Sequence, residues 1–184
     1  YKGVRIKETF DGKIENQDNG YLLELTPRES VVPTYIDIEF DKNLKLDKLS
    51  IERTLFPGTP GNLNIFKKNN HYQWEANKLN LKKLEFSILD NKDFEWVEGE
   101  ITGSGFVSRD LSDFNGNILL KNGEYRKLNF AESNIKFDQK GKSLKLESIL
   151  KTKDGGIIEI IYKSDEYDFI KAKLKNISSG WTAI

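Results

Sequence analysis

The 184-residue sequence contains no cysteine and only one histidine, His71. The absence of cysteine excludes disulfides, thiolate metal sites and cysteine nucleophiles. A single imidazole cannot supply the three or four nitrogen or sulfur ligands that a zinc site needs. A serine-type catalytic triad would have to use His71, and no serine lies in a strand-to-helix nucleophile turn. We therefore predict no enzymatic activity, no metal and no cofactor, and we interpret His71 as a strand-edge residue beside Tyr72.

The sequence also lacks methionine, any long apolar run and any excess of charge. No stretch reaches the roughly 18 apolar residues of a membrane span, and there is no signal peptide. Since the chain begins at Tyr1, we expect a processed product or a piece of a larger protein, anchored through segments outside it. Lys and Arg number 29, as do Asp and Glu, so the formal net charge is 0. Such a chain lacks the basic field of a nucleic-acid binder, and we predict no nucleic-acid partner.

The chain does contain repeated alternation of apolar and polar residues. A period of two places successive side chains on opposite faces of a strand. Strands with one apolar and one polar face are typical of antiparallel sheets. The clearest examples are segments 35–40, 72–77, 114–121, 144–151 and 170–175.

Glycine dipeptides and prolines divide these segments. Glycine tolerates the positive φ of tight hairpin turns, and proline disfavours central strands. We predict longer loops around Pro27, Pro33, Pro57 and Pro60. We predict turns at Asp11-Gly12, Asn19-Gly20, Asn122-Gly123, Lys140-Gly141 and Asp154-Gly155-Gly156.

These signals predict an all-β fold, a mostly antiparallel curved or folded sheet of roughly a dozen strands. A two-sheet β-sandwich is the alternative. Residues 78–89 fit either a strand or a short amphipathic helix, and we favour a strand because their neighbours are strands. Residues 61–72 and 116–125 are faintly similar. We therefore expect residues 1–184 to form one elongated module. Residues 61–184 would form repeats, and residues 1–60 do not fit the repeat pattern.

Two groups of residues superficially resemble catalytic motifs. Glu98 and Glu100 share one strand face, close to Asp90, Asp93 and Glu95, as the paired carboxylates of a glycosidase would. Charges on a solvent face or sheet edge explain them equally well. The glycines Gly99, Gly103 and Gly105 lie in a strand and do not open a helix, so we predict a bend or a close backbone approach rather than a phosphate loop.

Residues 96–184 resemble a known family. The run from Trp96 to Gly105 (WVEGEITGSG) precedes Phe114 to Tyr125 (FNGNILLKNGEY), and alternating strands lead to Asp154 to Ile160 (DGGIIEI). This succession is similar to the repeats of the AsmA and TamB family, which includes the translocation and assembly module. Members are long cell-envelope proteins of diderm bacteria. Their repeats form a curved, taco-like β-sheet with an apolar lining.

The resemblance implies a non-enzymatic periplasmic module that offers an apolar groove to phospholipid acyl chains. It would act in lipid transport between membranes or in outer-membrane assembly, where an assembly protein would be a further partner. The alternative is a cell-surface sandwich that binds a protein or glycan through exposed aromatics such as Trp96 or Trp181. On the family interpretation, the two-residue period assigns the groove lining to Ile118, Leu120, Ile135, Phe137, Leu144, Leu146, Ile158, Ile160, Ala172 and Leu174.

Overall fold

The computed structural model describes residues 3–55, 58–87, 95–110, 112–125, 128–164 and 168–177. These residues form strands joined by turns and loops, and they contain no helix. The strands are β1 (Gly3–Ile6), β2 (Phe10–Gln17), β3 (Gly20–Pro27), β4 (Thr34–Asp41), β5 (Leu46–Arg53), β6 (Gly61–Lys68), β7 (His71–Asn80), β8 (Leu84–Ser87), β9 (Glu95–Ser108), β10 (Asp113–Tyr125), β11 (Leu128–Lys140), β12 (Ser143–Thr152), β13 (Ile157–Ser164) and β14 (Asp168–Lys175).

The strands form one curved sheet that does not close on itself. Its order is β14-β13-β12-β11-β10-β9-β7-β6-β5-β4-β3-β2, and each neighbouring pair is antiparallel. The short strand β8 lies beside the start of β9 and pairs with β1 on its other side. The predicted antiparallel curved sheet is confirmed, and the two-sheet sandwich does not occur in the described part of the chain.

The strand interpretation of residues 78–89 holds wherever the structure describes them. Residues up to Asn80 belong to β7, a turn follows at 82–83, and β8 continues to Ser87. The similar segments 61–72 and 116–125 occupy different places. The first spans β6, a turn at 69–70 and the start of β7, whereas the second lies inside β10.

Two predicted turns are wrong. Asp11-Gly12 lies inside β2 and Asn122-Gly123 inside β10. Asn122 does adopt a positive φ of 49°, but the register shifts between Lys121 and Glu124, so the chain bulges and continues without reversing. A β-bulge bends a strand and increases its twist, because two residues oppose one on the partner strand. The turns predicted before Gly20 and at Gly141 and Gly155 are present.

Further bulges lie beside the one at Asn122. The register of β7 against β9 shifts between Ala76 and Leu79, and that of β11 against β12 shifts between Phe130 and Glu132. The buried cluster of the molecule lies along this line. It consists of Ala76, Leu79, Leu81, Leu84 and Leu120. The bulges therefore bend the sheet where its apolar side chains pack most closely.

Candidate functional site

Backbone pairing places apolar side chains in a continuous row across the whole sheet. Directly opposed residues on neighbouring strands point to the same face, so the register identifies each row. We name one of these rows the central row. Each of its members is apolar, aromatic or glycine. It runs Ile14, Leu23, Ile38, Leu49, Ile65, Trp74, Gly105, Gly116, Phe137, Leu146, Tyr162, Ile170.

A second row lies two residues away on the same face. It contains one polar member, Ser148, and runs Gly12, Leu25, Ile36, Ile51, Leu63, Ala76, Gly103, Ile118, Ile135, Ser148, Ile160, Ala172. We call the side of the sheet that carries both rows the apolar face. The apolar face crosses the molecule from β2 to β14 without a charged residue in either row.

The row between these two points to the opposite side, which we call the polar face. Apart from Ile161, its members are charged, amide or hydroxyl residues: Lys13, Glu24, Asp37, Ser50, Asn64, Glu75, Ser104, Asn117, Lys136, Glu147, Ile161, Lys171. The contrast shows that the alternation in the sequence is maintained in register from strand to strand.

All ten side chains predicted to line a groove lie on the apolar face. Ile118 and Ile135 are direct partners, as are Phe137 and Leu146. The remaining predicted residues are related by a direct pairing or by a two-residue step: Leu120, Leu144, Ile158, Ile160, Ala172 and Leu174. The sequence pattern therefore identified a common face. It missed the equivalent residues of β2 to β7, where the alternation is equally clear at Ile36 and Ile38.

Most side chains of the two apolar rows are half-buried, and no second layer of secondary structure covers them in the described residues. The buried apolar side chains in the described residues are Val32, Ala76, Leu79, Leu81, Leu84, Leu120 and Phe130. The chain exposes 12486 Å² of surface. A compact protein of the same 21.2 kDa mass would expose about 9,100 Å². The excess surface is the expected consequence of a single-layer sheet.

Aromatic side chains cover glycines in the middle of the apolar face. Trp74 lies over Gly105 and Gly116, and a Cβ atom at either glycine would collide with the indole ring. The indole Nε1 donates a hydrogen bond to the carbonyl oxygen of Asn115 at 3.2 Å. The predicted close approach at the β9 glycines is therefore confirmed, with Trp74 and the backbone of β10 as the groups that approach.

A buried polar cluster lies at one end of the apolar face. Arg53, two residues beyond Ile51, is 1% exposed and donates from Nη2 to the carbonyl oxygen of Lys82 at 2.7 Å. Burial lowers the pKa of Arg53, and the nearby Glu8 carboxylate partly offsets that effect. Oε1 of Glu8 accepts hydrogen bonds from Ser30 at 2.9 Å and Thr34 at 3.1 Å. The Arg53 guanidinium thus binds the backbone at Lys82, and the nearby Glu8 carboxylate binds the hydroxyls of Ser30 and Thr34.

The polar face carries a cleft with a volume of about 670 Å³. Its floor is the backbone of β9 to β13 at the level of Ile118. The sequence analysis did not anticipate it, because its walls come from five strands. Ten of its lining residues point to the polar face and five belong to the second row: Thr102, Gly103, Ser104, Asn117, Ile118, Leu119, Asn134, Ile135, Lys136, Glu147, Ser148, Ile149, Glu159, Ile160 and Ile161.

Among the described residues, the candidates for catalysis (Glu98, Glu100 and His71) do not assemble into a site. Glu98 and Glu100 share the polar face of β9, opposite Glu124 and Lys121, but neither lines a described cleft. His71 lies at the start of β7 and makes an edge contact with Phe106 at 5.6 Å between ring centroids. The described residues contain no group of three or more acidic or histidine residues that could hold a metal.

Several predicted residues lie outside the described part of the chain. They are Asp90, Asp93, Trp181 and the side chains of Glu95 and Trp96. No helix long and apolar enough to cross a bilayer was found where the structure describes the chain.

Comparison of the chain with protein-family models, with curated proteins and with solved structures finds no match. The resemblance to the AsmA and TamB repeats therefore stays a prediction from the sequence pattern.

Proposed function

We propose that the protein is a non-enzymatic cell-envelope module whose apolar face binds phospholipid acyl chains. The observation that supports this function is the central row, which crosses twelve strands without a charged side chain and has no second sheet or helix over it in the described residues. An extended apolar surface of this kind marks a binding site in a soluble protein. Each methylene group that leaves water for such a surface contributes about 0.8 kcal/mol.

The resemblance to AsmA and TamB repeats supports the same function and suggests its location. It places the module in the periplasm of a diderm bacterium, in lipid transport between membranes or in outer-membrane assembly. The polar face, rich in Lys, Glu, Asn and Ser side chains, would then remain in water while acyl chains contact the opposite side. The alternative, a cell-surface sandwich, requires two packed sheets, whereas the described strands form one sheet.

Neighbouring residues on β10 provide a matched pair of variants to test lipid binding. Ile118 is in the apolar row between Gly103 and Ile135, whereas Leu119 faces the polar side, and both are half-buried. We expect purified wild-type protein to bind a fluorescent fatty acid and to carry extractable phospholipid detectable by mass spectrometry. Ile118→Arg should strongly reduce both signals because it places a charge in the row, and Leu119→Arg should retain them.

Circular dichroism spectra of the two variants must match that of the wild type, so that loss of binding is not loss of folding. If Ile118→Arg does not fold, Ile160→Arg in β13 and its neighbour Ile161→Arg offer the same comparison on the other side of the face. Wild-type protein that binds no acyl chain would overturn the proposal. Equal binding by the two folded variants of a pair would also overturn it.

A further inference from the structure

The two outer strands of the sheet are β2 and β14. The apolar side chains at these two ends of the central row are exposed. Within the described residues, β2 pairs only with β3 and β14 only with β13. The ends of the central row, Ile14 and Ile170, are 72% and 69% exposed, whereas every residue between them is half-buried or buried. These side chains are exposed because each lacks a neighbour on one side.

β14 carries three lysines on its polar side and one charge, Asp168, on its apolar side. Over the rest of their length, the two outer strands lack the other features that normally prevent pairing with another chain. Such features are proline, a bulge, or a charge that points toward the apolar side. No proline and no register shift occurs in β2 or β14. The apolar side is free of charge from Phe10 to Ile14 in β2 and from Ile170 to Leu174 in β14.

We infer that β14 of one molecule pairs with β2 of a second copy, so that the sheet continues from molecule to molecule. The path from β2 to β14 contains an even number of antiparallel strands, so its two outer strands run in opposite directions. A second copy in the same orientation therefore presents β2 antiparallel to β14, with its apolar face on the same side. Both strands are 8 residues long.

The rows themselves specify the register of this contact. If the central row continues into the second copy, Ile170 lies opposite Ile14 of that copy. The second row of the apolar face then continues from Ala172 to Gly12 of that copy. On the polar face, the same register places Lys173 opposite Asp11 and Lys171 opposite Lys13, which lies between Asp11 and Glu15 on that face of β2. Cross-strand pairs of apolar residues and of opposite charges both stabilise antiparallel strands.

Charge disfavours the symmetric alternative. Pairing β14 with β14 would set Lys171, Lys173 and Lys175 against the same three lysines, and like charges on facing strands are destabilising. The contact between β14 and β2 therefore uses two different surfaces of each molecule. Contacts of this kind form open chains unless the geometry closes them into a ring.

Complementation between two blocked variants tests this contact. We expect the sedimentation coefficient of wild-type protein to increase with protein concentration. Ile170→Asp blocks β14 and Ile14→Asp blocks β2, so each variant alone should lose association and remain monomeric. Mixed in equal amounts, they should form dimers and nothing larger, since one intact edge of each kind remains.

Ile149→Asp provides the control, because Ile149 is also exposed but lies on the polar face of β12. It should associate as the wild type does. Lys173→Glu should weaken association, and adding Asp11→Lys should restore it. A wild type that is monomeric at every concentration would overturn the inference, as would blocked variants that associate normally or a mixture that stays monomeric. The measurement uses delipidated protein, so its outcome is independent of acyl-chain binding.

Discussion

The indole of Trp74 stacks on the ring of Phe137 across two intervening strands, with centroids 6.1 Å apart and planes 7° apart. The contact is possible because Gly105 and Gly116 separate the two residues in the central row. Phe114 also packs against Phe137, with ring centroids 5.7 Å apart. Glycines on β9 and β10 thus allow the indole of Trp74 to lie over two strands and contact a ring on the next one.

Gly116→Val should displace Trp74, because a Cβ atom at this position collides with the indole. Overpacking of this kind typically costs about 1–3 kcal/mol of unfolding free energy. Urea denaturation followed by tryptophan fluorescence measures the change. Asn117→Val, one residue away on the exposed polar face, should leave the stability within about 0.5 kcal/mol of wild type. Equal stabilities of the two variants would contradict the packing described for Trp74.

The buried Arg53 should be sensitive to truncation. Arg53→Ala removes the bond to the Lys82 carbonyl and leaves the Glu8 carboxylate without its nearby cation. Leaving a buried hydrogen-bonding group without its partner costs about 1–3 kcal/mol. Thermal and urea unfolding at neutral pH would measure the loss. The control is Arg28→Ala, since Arg28 and its partner Asp11 are both exposed, and we expect almost no change in the unfolding midpoint.

Two buried serines on the apolar face offer a stabilising change. The hydroxyls of Ser133 and Ser148 are buried and have no hydrogen-bond partner. Removing an unsatisfied buried polar group avoids its desolvation cost, so we expect Ser133→Ala or Ser148→Ala to raise the unfolding free energy by about 1 kcal/mol. Ser104→Ala on the exposed polar face should have no such effect. A loss of stability in both buried variants would show that these hydroxyls do have partners.

The turn between β9 and β10 should respond to acid. Hydrogen bonds from the Ser108 hydroxyl, at 2.6 Å, and from the amide and hydroxyl of Ser112 lower the pKa of Asp110 to about 2. The ionised form therefore stabilises the fold fully above the unfolded value of about 3.9, and this contribution is lost as the pH falls through about 2. Asp110→Ala should lower the melting temperature at neutral pH, and the difference should shrink toward pH 2.

Asp18→Ala, in the exposed turn before β3, is the control for this experiment. Its effect on the melting temperature should be small and should not follow the same pH dependence. If the difference between wild type and Asp110→Ala persists unchanged at pH 2, the hydrogen bonds to the carboxylate do not stabilise the turn.

The local sequence determined which residues form strands and which side of each strand is apolar. Ile118, Ile135 and Ile160 were assigned to one face from the two-residue period together with the family resemblance, because the period of a strand is a property of the backbone. The absence of cysteine and the single histidine likewise excluded whole classes of metal and catalytic site without any structure. These conclusions depend on residue type and spacing, which the sequence contains.

Only the tertiary structure decided how the strands are arranged. Asn122-Gly123 has the composition of a hairpin turn, yet it forms a bulge because the strand on each side continues to pair with β11. The continuous sheet, the cleft on the polar face and the stacking of Trp74 on Phe137 all depend on register between strands. Register follows from the pairing of distant segments, and local alternation is compatible with an open sheet as well as with a closed sandwich.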